Sequence, residues 1–370
     1  MRRSIYILLI FLAGACDRNE LPVAPTTAPK ASDKLLSMDV RSITQLEPGR
    51  ATNVAVTRSG SIYWVQETAE ENDLVFEMDE SGVPRSTPIG STGITTMLGE
   101  RGTGNVQSLA AMGDSVWFYF SGGSGAKSMC VIGRYQPGAS DVQIFVGSEQ
   151  LSAASDMGFA LDVARGTLLT TEGGSLWLWL RHSDEGLLLR IDPSAEPGSP
   201  KAISRPFKHL LGASEPIDLR SNDLRLAGGA GDSLLMIDPG TSTLWRVASD
   251  GSAEALWDLG GLPRRTARPV WSKDRILLFA ARSESMVDSK QQAPPIEPMP
   301  AEYPTFVTLR QGERAVVVTP NAIVTRGDVD SNLLDLSELV PESKPNSWIA
   351  YDRRSGHLLR FSRIHVPGLE

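Results

Sequence analysis

Ser115-Val116-Trp117-Phe118-Tyr119-Phe120, followed after a Gly/Ser loop by Val131-Ile132-Gly133-Arg134-Tyr135, decides how the rest of the chain is read. Both runs are too short for a helix and are dense in aromatic and β-branched residues, which suit a buried strand. Leu109-Ala110-Ala111 comes before them, separated by Gly113-Asp114, and Val142-Gln143-Ile144-Phe145 comes after, separated by Gln136-Pro137-Gly138. Gly, Asp and Pro at such breaks set turns. The segment is therefore expected to be four antiparallel strands in a meander.

The same plan recurs along the chain. The first copy takes residues 51–57, 61–65 and 74–78, with turns at Arg58-Ser59-Gly60 and Asp79-Glu80-Ser81-Gly82. A third takes 167–171, 175–180 and 187–191, and a fourth, the cleanest, takes 224–227, 233–237, 244–247 and 254–257 with Gly231-Asp232 and Asp250-Gly251 between strands. A fifth runs through 269–271, 275–279, 306–309 and 315–318, and a last through Ile323-Val324-Thr325, 348–351 and 358–361. That last copy is one strand short.

Four-stranded units repeated at roughly 40 to 70 residues are the pattern of an all-β fold, the β-propeller, whose blades pack face to face around a channel. Six four-stranded blades are expected, and the stretches 206–220 and 319–344 are long enough to hide a seventh. Ser42-Ile43-Thr44-Gln45-Leu46 precedes the first full unit and is the expected donor of the missing strand, so an N-terminal strand would close the ring and leave no open edge. The tryptophans of the second strands then read as packing between blades.

The hairpin in the second unit, with its Val131-Ile132-Gly133-Arg134-Tyr135-Gln136-Pro137-Gly138, resembles the repeat of the streptogramin B lyase and NHL-type propellers. Leu189-Arg190-Ile191-Asp192-Pro193 and Trp245-Arg246-Val247 repeat it more weakly. The resemblance implies architecture. Those lyases hold a metal near the channel and use a catalytic histidine, and no position here matches either residue, so no catalytic residue, metal ligand or cofactor is assigned.

The N-terminus has its own signal. Arg2 and Arg3 flank an apolar stretch from Ile5 to Leu12, followed by Ala13-Gly14-Ala15 and Cys16. A positive flank, a short apolar run and small residues make a secretory signal, and roughly ten apolar residues are too few to span a bilayer. Leu12-Ala13-Gly14-Ala15-Cys16 resembles a bacterial lipobox, with Ala13 where leucine is usual. The resemblance implies that the Cys16 thiol carries a lipid and becomes the mature N-terminus. Residues 1–15 are thus expected to be signal peptide, 16–35 a lipidated cysteine and Pro/Thr-rich tether, and 36–370 the propeller, held at the cell envelope outside the cytoplasm by lipid alone.

Charge bounds the partners. The chain carries 36 basic and 44 acidic residues, and losing Arg2 and Arg3 would take the net charge from −8 to about −10. That argues against nucleic acid, whose phosphates need a basic face. Cys130 sits in Met129-Cys130-Val131-Ile132 and reads as a small buried hydrophobe.

Known chemical motifs are sparse. Gly122-Gly123-Ser124-Gly125-Ala126 lacks the last glycine of a nucleophile elbow. Asp328-Val329-Asp330-Ser331-Asn332 begins like a calcium loop, but Leu333 replaces its glycine and Leu339 its glutamate. His182, His209, His357 and His365 have no metal spacing. Two loops remain. Arg181-His182-Ser183-Asp184-Glu185 joins two strands and combines an imidazole with two carboxylates, so His182, Asp184 and Glu185 are the candidate ligand-binding residues. The stretch 283–304 holds five prolines and reads as an extended, partly rigid arm, either a contact for a peptide or protein partner or equally an unselected insertion. The expected role is an envelope-anchored binding or scaffold propeller for a protein or small ligand. A metal-dependent lyase or lactone hydrolase, and a component of an envelope protein complex, are the alternatives.

Overall fold

The computed structural model describes residues 37–67, 73–90, 93–95, 103–124, 127–155, 165–182, 185–204, 206–212, 216–219, 224–238, 243–258, 267–272, 275–280, 305–309, 316–318, 323–326, 334–344 and 346–365. Cys16 and the tether, Asp184, the acidic run at 328–332 and the proline-rich stretch at 283–304 lie outside these residues. Among the described residues no helix is long and apolar enough to cross a membrane.

The first sheet is β2 (Ala51–Val56), β3 (Ile62–Glu67), β4 (Asp73–Met78) and β5 (Pro84–Gly90), antiparallel in chain order. The second is β6 (Thr103–Met112), β7 (Ser115–Ser124), β8 (Lys127–Tyr135) and β9 (Gln143–Val146). A third has β10 (Arg165–Thr170), β11 (Leu176–His182) and β12 (Glu185–Ile191), and a small ribbon of β13 (His209–Leu211) and β14 (Pro216–Asp218) follows it. The fourth has β15 (Arg225–Gly228), β16 (Leu234–Asp238), β17 (Thr243–Val247) and β18 (Ala253–Asp258). The fifth has β19 (Ala267–Ser272), β20 (Arg275–Ala280), β21 (Thr305–Leu309) and β22 (Val316–Val318). The final sheet has five strands in the order β23 (Ile323–Arg326), β1 (Ser37–Gln45), β26 (His357–His365), β25 (Ser347–Asp352) and β24 (Leu336–Pro341).

This is an all-β propeller, with three differences from the expected plan. Five sheets among the described residues reach four or more strands, rather than six or seven. The third sheet stops at three because its outer edge meets an irregular segment, touching it at the isolated bridges Leu188–Phe207 and Ile191–Ile203. Pro200 and Pro206, which lack an N–H, and a 3₁₀ turn at Pro200–Ala202 break the ladder there. The stretch after it holds the β13–β14 ribbon, which is no further four-stranded blade. Finally, Ile323-Val324-Thr325 does not begin the last unit: β24 does, and β23 lies outside β1 in parallel, Met38 opposite Ile323. On its other side β1 runs antiparallel to β26, with Ser42 opposite Leu359 and Gln45 opposite His357. A hydrogen bond of 2.6 Å joins the Ser42 hydroxyl to His357 Nδ1.

The strand period of two explains why the middle strands read as unbroken apolar runs. Along β7, Val116, Phe118 and Phe120 pack toward the first sheet with Tyr63, Val65 and Val75. Trp117 and Tyr119 point the other way, into a cluster with Leu176, Leu178 and Leu180 of the third sheet. Trp177 and Trp179 of β11 turn in the next step toward Leu224, Leu234 and Met236 of the fourth. Trp64, Trp117, Trp177 and Trp348, each on a second strand except Trp348's β25, which follows β24 in the same way, are wholly buried. Cys130 is buried in the same interface as Trp117. A helix, Ser148–Ser155, follows β9 although no helical pattern marks it. Its Leu151 is buried in that interface, and the Ser148 hydroxyl accepts the Cys130 N–H at 2.8 Å, covering a free edge of β8.

Candidate functional site

The innermost strands β2, β6, β10, β15, β19 and β24 surround a central cavity of about 760 Å³. Neighbouring inner strands run in the same direction. Gly166 N–H donates to Gln107 Oε1 at 2.9 Å and Leu168 N–H to Ser108 Oγ at 3.0 Å, so β6 and β10 keep step. At the other end of the pair β10 and β15, a Cβ on Gly228 would lie 1.8 Å from the Thr170 carbonyl oxygen, so glycine permits the two backbones to meet. Near the start of β24, Arg353 N–H bonds Asp335 C=O at 2.8 Å, and Arg353 C=O accepts Gly49 N–H at 3.1 Å just before β2.

Aliphatic side chains such as Leu109, Leu168, Leu226 and Val270 supply much of the wall. Two strands carry bulges where they face the cavity. Between Thr52 and Ala55 the register of β2 shifts, and Asn53 takes φ of +49° there, a left-handed conformation that asparagine tolerates better than most side chains. β6 shifts between Val106 and Ser108, turning Gln107 so that its amide bridges β6, β7 and β10, with Ser121 Oγ accepting from Nε2. Bulges re-aim side chains in this way.

The charged groups lining the cavity among the described residues are Arg165, Arg181, Arg225 and Arg353, and no carboxylate or histidine is with them. All four belong to one end. Arg165 and Arg225 open β10 and β15, Arg181 stands directly opposite Arg165 across the ladder, and Arg353 follows Asp352, the partner of Leu336 at the start of β24. The Arg181 guanidinium lies over the Trp179 ring, 3.9 Å from its centroid, a cation–π contact. Arg225 Nη1 donates to the Leu224 carbonyl at 3.0 Å. The opposite end has a different character: Trp271 Nε1 donates to Glu172 Oε2 at 3.1 Å.

His182 and Glu185 face each other at the tip of the β11–β12 hairpin, one step beyond Arg181. The structure thus brings those two together on the arginine side, at the rim rather than among the cavity-lining residues; Asp184 is outside the described residues. Among the described residues no group of three or more His, Cys, Asp or Glu side chains is placed to hold a metal. Sequence reasoning missed the arginines. Their signal was an arginine heading the inner strand in Arg165-Gly166-Thr167-Leu168-Leu169 and again in Leu224-Arg225-Leu226-Ala227-Gly228.

No protein-family model matches this chain, and no curated protein sequence does. Solved structures with a similar course include a streptogramin B lyase (8% identity, 90% of this chain and 99% of that one, TM-score 0.46). The calcium-binding protein regucalcin from Agrobacterium tumefaciens is similar too (12% identity, 88% and 94%, TM-score 0.48). So is a DUF4623 family protein from Bacteroides eggerthii (10% identity, 90% and 76%, TM-score 0.49). The likeness is one of fold.

Proposed function

We propose that this chain is a lipid-anchored binding module outside the cytoplasm, whose ring of sheets, closed by Ser37–Gln45, holds a small ligand in its central cavity. The observation that carries the reading is the cavity: about 760 Å³, lined by apolar side chains and by polar ones from several strands, Asn53, Asn105, Gln107 and Thr170 among them, within the roughly 300 to 1,000 Å³ of small-molecule sites. His182, Asp184 and Glu185 are proposed as further ligand-binding residues.

Ala227→Trp tests the cavity. Ala227 lines it on β15, and an indole there would fill space that a ligand needs. Screening the wild type against a small-molecule library by ligand-observed NMR should yield hits that Ala227→Trp loses while keeping its melting temperature within a few degrees. Hits that bind both proteins equally would place the site elsewhere. The anchor is tested by Cys16→Ser, which cannot form the thioether to a lipid and should leave the membrane fraction or stay uncleaved; unchanged membrane association would refute lipidation.

A further inference from the structure

Gln107 and Asn105 both line the central cavity from β6, yet their amides are used differently. Both ends of Gln107 are engaged inside the fold: Oε1 accepts the Gly166 N–H at 2.9 Å, and Nε2 donates to Ser121 Oγ. Asn105 is exposed and has no side-chain hydrogen bond among the described residues. On β2, Asn53 has a single 3.4 Å contact from Nδ2 to Thr52 Oγ1, and its Oδ1 has no partner among the described residues. The Thr167 hydroxyl on β10 is as free as Asn105. Asn53, Asn105 and Thr167 are each the third residue of an inner strand, on three neighbouring strands.

These neutral groups lie on one side of the ring. Every amide and hydroxyl among the described lining residues belongs to β2, β6 or β10, whereas β15, β19 and β24 supply residues such as Leu226, Pro269, Val270, Trp271 and Leu339. Trp271 is half-buried and its Nε1 donates to Glu172 Oε2 at 3.1 Å, so its one polar atom is satisfied and the ring offers the cavity apolar surface. Arg181 and Arg225 likewise have contacts within the fold, with the Trp179 ring and the Leu224 carbonyl. The lining thus suits a ligand with hydroxyls along one edge and an apolar face. Amides donate and accept at once, as hydroxyls do, so one amide can pair with two neighbouring hydroxyl groups. A pyranose ring combines such an edge with a face of C–H groups that packs on aromatic rings. Trp271 is the fifth residue of its strand, nearer the other end of the cavity, so a ligand reaching both groups is longer than one ring. We propose that the cavity is a site for a neutral oligosaccharide, with hydroxyls held by Asn53, Asn105 and Thr167 and a sugar ring packed against Trp271. The proposal rests on the reading of the cavity as a ligand site and adds the class of ligand.

The test is an array of neutral and acidic oligosaccharides probed with the full chain, followed by isothermal titration of the strongest neutral binder. At least one neutral oligosaccharide should bind, with an affinity that added salt leaves unchanged. Asn105→Ala and Asn53→Gly, the latter compatible with the positive φ at that position, should each weaken it about three- to tenfold, as loss of a hydrogen bond predicts. Trp271→Ala should weaken it about tenfold and Trp271→Phe, which keeps a ring, by less. Gln143→Ala, on β9 away from the cavity, should change nothing. Binding of acidic oligosaccharides alone would overturn the neutral assignment. No oligosaccharide binding, alongside library hits that Ala227→Trp loses, would overturn the carbohydrate site and leave the cavity reading standing. An oligosaccharide bound equally by Ala227→Trp would place that site outside the cavity and overturn the proposal. Should Trp271→Ala melt early through loss of its bond to Glu172, Asn105→Ala, at an exposed position, carries the decision.

Discussion

Replacing Gly133 by alanine tests whether the hairpin that marked the fold in the sequence is tied to the packing it implies. Gly133 sits opposite Phe118 across β7 and β8. A Cβ there would lie 2.1, 2.5 and 2.8 Å from three atoms of the Phe118 ring, whereas carbon atoms in contact sit about 3.5 to 4.0 Å apart. The ring has nowhere to swing, because Phe118 is wholly buried among residues of the first and second sheets. Overpacking of this kind costs about 1–3 kcal/mol, offset in part by about 0.4–1 kcal/mol from the stiffer unfolded chain. Gly133→Ala should therefore destabilise by roughly 1–2 kcal/mol, a fall in Tm of about 1.5–3 °C for a domain of this size. Phe118→Ala alone should cost about 3–5 kcal/mol. With that ring gone, the added methyl group meets open space, and the double variant should be no less stable than Phe118→Ala. Urea unfolding of all four proteins at 25 °C measures the coupling, expected at about 1–2 kcal/mol. Additivity within about 0.5 kcal/mol would show that the ring is not what requires glycine.

Two further outcomes follow from the sheet contacts. Asp73 on β4 accepts the Val106 N–H of β6 at 3.1 Å, and its pKa rises from 3.8 to about 6, chiefly through burial, with Glu67 adding to the rise and the Val106 bond opposing it. The folded state thus holds this proton more tightly than the unfolded chain, so the contribution of Asp73 is fully present below about pH 4 and is lost as pH rises to about 6. Asp73→Asn, which keeps an acceptor for Val106, should flatten that part of the stability profile and melt at or above wild type at pH 7; an unchanged profile would refute the assignment. Deleting residues 37–45 removes the fully buried Met38 and Val40, about 1.5–3 kcal/mol each, and should lower Tm by roughly 4–9 °C. Deleting 17–33 should leave Tm unchanged, and equal losses from the two deletions would count against closure by that strand.

The strands were legible where a single residue pattern answers to a single physical demand. A middle strand packed on both faces must be apolar at every position, which is why Ser115 to Phe120 and Ser175 to Leu180 stand out, and a Gly-Asp pair recurs because each turn needs it. Gly113 and Gly231 both have positive φ, and Asp114 accepts the Ser59 N–H while Asp232 accepts the Ser175 hydroxyl, tying each turn to the neighbouring sheet. Outer edges were not legible. The ladder of the third sheet fails at Pro200 and Pro206, and whether an edge segment pairs regularly or through isolated bridges depends on backbone directions that composition does not encode. The last unit was misread for a related reason: Ile323-Val324-Thr325 has strand composition, and only the position of Leu336–Pro341 beside β25 shows which segment lines the cavity.

The site was legible to a lesser degree, and the reason lies in how a propeller assembles one. Each inner strand contributes three to six residues to the cavity lining, so its chemistry is spread over positions tens to hundreds of residues apart. No local motif records it. His182 and Glu185 drew attention because they are adjacent in sequence, yet they stand at the rim. Arg165, Arg225 and Arg353 belong to three different sheets and become a group because their inner strands, or the turn beside one, begin at the same end. Strand direction and register, rather than proximity along the chain, bring them to one end of the cavity. Arg181 joins them through its pairing with Arg165, which puts residues 16 positions apart in the chain side by side at that end of the cavity.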